Sequence, residues 1–148
     1  MTNEEYLELG LAYIKKKEWK SALSVLRECE KRHAETTVEP LPPQLLSALG
    51  LSMALAENKV ISGLELCEIA ARREVFRPES HYYLGLVHLK NGSKREAIDA
   101  FYKGLKFDPD HPGIIAKQYQ QDVRKKRSIR FLPRQSFLNK VIGKMASP

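Results

Sequence analysis

Three glycines, each inside the same short pattern, constrain this chain more than any other feature. Around Gly85 the sequence reads His81-Tyr82-Tyr83-Leu84-Gly85-Leu86-Val87-His88, followed by Ala97, Phe101 and Pro109. Around Gly10 it reads Tyr6-x2-Leu9-Gly10-x2-Tyr13, then Ala22, Leu26 and Cys29. Ala22 follows Gly10 by the same 12 residues that separate Ala97 from Gly85. A third copy, Leu46-x2-Leu49-Gly50-x2-Met53 with Gly63, Cys67 and Ala70, has its second half displaced by one residue. The apolar positions keep helical spacing, so each copy reads as two helices. A glycine in the first helix and a small residue in the second let the two axes approach closely. A helical pair of this size cannot bury its apolar face alone, and three copies are enough for a stable stack.

The punctuation between apolar runs agrees. Thr2-x-x-Glu5 and Ser93-x-x-Glu96 have capping-box spacing. Asn91-Gly92 predicts a left-handed stop, Pro78 opens a helix and Pro109 closes one. The spacing predicts helices over 3–16, 19–33, 43–57, 60–75, 78–91 and 94–107, with a seventh over 112–126. The polar, proline-rich stretch from Ala34 to Pro43 reads as a loop between the first two pairs.

The Leu-Gly pair, the later Ala-x3-Phe and the closing proline resemble the tetratricopeptide repeat family. The likeness covers residues 3 to 111 and is clearest in the third copy. It implies an all-α solenoid of three helix-turn-helix repeats at 3–36, 43–77 and 78–111, a capping helix at 112–127 and a tail at 128–148. It also implies a protein-binding module (an adaptor, scaffold or small chaperone) without enzymatic activity or cofactor. In that family the residues three before, one after and four after each glycine line a concave groove. Here those are Leu7, Leu11 and Ile14, then Ser47, Leu51 and Ala54, then Tyr82, Leu86 and Leu89. The groove would take a peptide or helix from a partner. Tyr82 and Tyr83 would anchor it, and Lys15 and Lys90 would form a positive rim. A plainer reading assigns about half of the stripe to contacts between neighbouring repeats. Family members that bind acidic C-terminal tails use Lys and Asn at these sites; the apolar side chains here offer a carboxylate no donors.

The remaining chemistry is sparse. His81 and His88 share a helical face but occupy the two aromatic positions of the repeat, which assigns them to packing rather than to a metal. Cys29 and Cys67 lie in apolar helical segments without ligand spacing and read as small buried thiols, fitting a reducing compartment. No phosphate loop or nucleophile motif is present. Met1-Thr2-Asn3-Glu4-Glu5 is acidic and lacks an apolar core, which argues against a secretory signal. The expected location is the cytoplasm, peripheral at a membrane if the tail attaches there.

The net charge of +7 is unevenly spread. Residues 1–112 hold 16 Lys and Arg against 17 Asp and Glu, whereas residues 113–148 hold nine against Asp122 alone. In the tail, Arg124, Lys125, Lys126, Arg127, Arg130, Arg134, Lys140 and Lys144 supply the charge. Phe137, Leu138, Val141, Ile142 and Met145 fall on one helical face. Such a segment suits packing on protein first: on its own repeats, on a second copy in a homo-oligomer, or on a partner. An anionic membrane surface comes second. Nucleic acid ranks last, because no recognition motif surrounds Phe131 and Phe137.

Overall fold

A computed structural model describes the backbone of residues 1–129 and the side chains of residues 1–121. Among the described residues every regular element is an α-helix: α1 (Asn3–Lys15), α2 (Trp19–Thr36), α3 (Pro43–Glu57), α4 (Val60–Arg73), α5 (Pro78–Lys90), α6 (Lys94–Phe107) and α7 (Pro112–Ile129). Residues Met1–Pro109 form one compact unit, and α7 belongs to a second that starts at Asp110.

In the first unit the helices form three antiparallel pairs, α1 with α2, α3 with α4 and α5 with α6. Each pair closes at its glycine. A Cβ on Gly10 would strike the Leu26 side chain, and one on Gly85 would strike the Phe101 ring. At Gly50 it would lie 2.6 Å from the Gly63 carbonyl oxygen, so α3 and α4 meet backbone to backbone. The one-residue displacement of Gly63 in the sequence is what brings the two glycines opposite each other. Neighbouring pairs pack through α2 on α3 and α4 on α5, and the first helices lie side by side, α1 on α3 and α3 on α5.

The central helix α3 is therefore enclosed. Its residues 45 to 52 are all buried, including Leu45, Leu49 and Leu51. They join Leu23, Leu26, Cys29, Cys67, Tyr83 and Val87 in one core. Burial of large apolar side chains contributes about 1.5–3 kcal/mol each, so the enclosed leucines of α3 contribute several such terms to the unit.

Helix ends follow local chemistry. Thr2 Oγ1 accepts the Glu5 N–H at 3.1 Å, completing the first expected cap. The second does not form: Ser93 makes no side-chain cap to α6, and its hydroxyl instead accepts from Asn91 Nδ2 at 3.1 Å. The turn after α5 closes as expected on Gly92, at φ 78°. There the Ser93 N–H reaches the His88 carbonyl and the Gly92 N–H the Leu89 carbonyl. The same pair of bonds closes α1, with Lys17 in the left-handed position at φ 59°. Helix α2 runs to Thr36, past the expected end at 33, because the Thr36 hydroxyl donates back to the Arg32 carbonyl at 2.8 Å. The loop that follows is held by His33 Nε2, 3.0 Å from the Glu39 carbonyl, and by Arg73, which donates to the Leu41 carbonyl at 2.8 Å.

In the second unit α7 opens with Pro112 in its first turn, and the Ile114 N–H donates to His111 Nδ1 at 3.2 Å. None of the described helices is long and apolar enough to cross a membrane. The tail residues Arg130, Arg134, Phe137, Leu138, Lys140, Val141, Ile142, Lys144 and Met145 lie outside the described residues. Arg124, Lys125, Lys126 and Arg127 fall in α7, with their side chains outside the described set.

Candidate functional site

Helices α1, α3 and α5 run side by side and carry the stripe singled out in the sequence. The structure sorts that stripe in two. Ser47, Leu51 and Ala54 are fully buried, and Ile14 and Tyr83 nearly so. These five side chains belong to the core, since α3 has neighbours on both flanks. The Ser47 hydroxyl donates to the Gln44 carbonyl at 3.1 Å, and the Ser47 carbonyl faces the Cys67 thiol at 3.5 Å. Leu7 and Leu11 of α1 and Tyr82, Leu86 and Leu89 of α5 stay half-buried, while Lys15 and Lys90 are exposed. The apolar surface left on this face is thus supplied by the outer two first helices. Tyr82 is braced from within, its ring 6.3 Å from Phe101 and 5.8 Å from Tyr83.

Tyr6 and His81, four residues before their glycines, pack within their own pairs. Arg32 of α2 lies over the Tyr6 ring at 5.2 Å. The His81 ring stacks on Phe107 of α6, 6.1 Å apart and within 9° of parallel. His81 Nε2 lies 2.6 Å from the Val75 carbonyl oxygen, and its Nδ1 is buried without a hydrogen bond. Leu9, the residue before Gly10, is 37% exposed. Among the described residues no three His, Cys, Asp or Glu side chains gather as metal ligands.

No protein-family model matches this chain, and no curated protein matches it. Its chemistry has to be read from its own geometry. The sequence reading missed an open cleft of about 540 Å³ between α4 and α6, floored by His81, Leu84 and His88 of α5. Glu68 and Arg72 stand on one wall, and Glu96, Asp99 and Lys103 on the other. The signal was present in the sequence, because His81 and His88, assigned to packing, also face the gap between the second helices of neighbouring pairs.

Burial shapes the titration of the core. It pushes the Cys67 thiol up to about 12, with the nearby Glu68 carboxylate adding to the effect. Burial also raises Cys29 and Tyr83 above their ordinary values. The thiolate, the reactive form, is thereby suppressed. The folded state holds the Cys67 proton more tightly than the unfolded chain, so stability is complete below the ordinary thiol value and falls as pH rises toward about 12. The expected decline reaches about 1.4 kcal/mol per pH unit for one such thiol. Urea midpoints taken from pH 8 upward should fall, and Cys67→Ala should flatten the slope even if it lowers every midpoint. Equal slopes would remove Cys67 as the cause.

Proposed function

We propose that the chain is a protein-interaction module of the tetratricopeptide type, using its first-helix face to hold an apolar segment of a partner. The observation that carries this reading is the side-by-side packing of α1, α3 and α5, each closed on its own second helix at a glycine. That is the arrangement the repeat pattern implies. Leu7, Leu11, Leu86 and Leu89 give the face its apolar character, and Lys15 and Lys90 border it. Tyr82 is suited to be its anchor, because a ring already braced by Phe101 loses little freedom on binding. The occupant is an amphipathic helix or extended segment with apolar side chains toward the face.

The test is capture of a partner from the native cell with the wild-type chain and with Leu7→Lys/Leu86→Lys. Both positions are half-buried rather than core, so the helical circular-dichroism signal should persist. Loss of the captured partner with an unchanged spectrum supports the reading; retention of the partner overturns it.

A further inference from the structure

Sequence composition gives residues 1–112 almost no net charge, yet the fold gathers an excess of cations on one edge. The pairs are antiparallel throughout. Gly10 faces Leu26, Gly50 faces Gly63 and Gly85 faces Phe101, while Arg27 of α2 reaches Glu57 at the end of α3. Helices α1, α3 and α5 therefore point the same way, and the three turns inside the pairs share one edge. The first turn carries Lys15, Lys16, Lys17 and Lys20 against Glu18, all exposed. The third carries Lys90, Lys94 and Arg95 against Glu96, again all exposed. In the middle, Lys59 is exposed and the one carboxylate, Glu57, is paired with cations. Arg27 holds it through two bonds of 2.6 and 3.0 Å, and Lys59 lies 3.4 Å away. The opposite edge, with the starts of α1, α3 and α5 and the ends of α2, α4 and α6, mixes the signs: Glu4, Glu5, Glu35, Glu39, Glu74 and Glu79 stand with Arg32, Arg72, Arg73, Arg77 and Lys106.

We propose that this turn edge of the repeat unit docks on an anionic phospholipid surface. Three features choose lipid over an acidic protein. Seven of the cations are lysines, against Arg95 and the Arg27 bound to Glu57, and lysines are compact charges on flexible stems that suit a diffuse, fluid layer of charge. Arginine is the residue fitted to fixed, bidentate carboxylates. The charge is spread over three turns, whose helices stand about 8–10 Å apart, instead of converging on one point. Ile61, in the first turn of α4 on this same edge, is 65% exposed between the flanking lysines, placed to enter the headgroup layer. Half-buried Trp19, at the start of α2, joins it there.

The docking is independent of what the first-helix face binds. Its test uses the full chain, so the basic tail is present in every sample. Partitioning onto phosphatidylcholine vesicles with and without phosphatidylserine is compared for wild type and Lys16→Gln/Lys20→Gln/Lys59→Gln/Lys94→Gln. Each lysine at an anionic surface is worth about fivefold in partitioning, so the four changes should weaken binding by about 100-fold or more. Orientation is read from Ser21→Cys and Glu35→Cys, at opposite ends of α2 and about 21 Å apart, labelled with a fluorophore while Cys29 and Cys67 remain buried. A quencher-bearing lipid should dim the label at position 21 and spare the one at 35. Unchanged partitioning of the fourfold variant overturns the proposal, as does quenching at neither site or at position 35. Loss of binding to a polyglutamate chain with vesicle binding intact also overturns it, and assigns the edge to an acidic protein.

Discussion

Phe101→Ala should lower the stability of the chain by about 3–5 kcal/mol, the largest effect expected of any single side-chain truncation here. Phe101 is fully buried, its ring lies on Gly85 where a Cβ would strike it, and Tyr82 leans against it from the first-helix face. For a chain of this length the melting temperature should fall by about 10 °C. A sharper check exploits the glycine. In the wild-type chain Gly85→Ala drives a methyl into the ring, an overpacking cost of about 1–3 kcal/mol against a helix-propensity gain of about 1. In the Phe101→Ala background the same methyl enters empty space, keeps the gain and fills part of the cavity. Gly85→Ala should therefore destabilise the first background and stabilise the second, a change of sign measurable by urea unfolding of the four variants. The same Gly85→Ala effect in both backgrounds would mean that the helices do not close on this contact. The truncation bears on function as well. Tyr82 would lose its inner support, so binding at the first-helix face should weaken even where the helical content survives.

How much of this was legible in the sequence depends on what each residue's periodicity reports. The helical pairs were, because Leu9-Gly10, Leu49-Gly50 and Leu84-Gly85 recur with apolar residues at helical spacing, and tertiary packing did not override that signal. The distinction between an open stripe and a buried one was not. Ser47, Leu51 and Ala54 hold the same register as Leu7, Leu11 and Leu86, yet only the middle helix has a neighbour on each flank, which buries all three. Register along one helix cannot report how many helices lie beside it. The second capping box failed for a local reason: the Asn91 amide, two residues away, competed for the Ser93 hydroxyl. The basic edge was hidden by separation. Lys16, Lys59 and Lys94 are far apart in the chain, and the acidic residues between them cancel the total. Only the common direction of α1, α3 and α5 brings them to one side.

Gly63→Ala and Gly50→Ala should behave differently from Gly10→Ala, although all three replace a helical glycine facing a partner helix. At Gly10 the new methyl meets only the Leu26 side chain, at Cγ as well as Cδ2, so buried Leu26 must shift but no backbone need move. The helix-propensity gain of about 1 kcal/mol should then roughly cancel the crowding. At Gly63 the methyl would sit 2.5 Å from the Gly50 carbonyl oxygen, and at Gly50 it would sit 2.6 Å from that of Gly63. Backbone atoms give way only if a whole helix moves, and α3 is held by α1, α2, α4 and α5. The overpacking cost should lie at the upper end of about 1–3 kcal/mol, leaving each variant about 2 kcal/mol less stable after the propensity gain. Displacing α4 also loosens the seat of the Cys67 thiol, which packs beside Gly50 within 2.8 Å of where the Cβ would be. Gly50→Ala should therefore speed modification of Cys67 by a thiol reagent under native conditions. Gly10→Ala should leave that rate at the wild-type value. Stability from urea unfolding and the labelling rate at Cys67 test the two halves separately. Matching behaviour of the three alanine variants would show that α3 and α4 do not meet backbone to backbone.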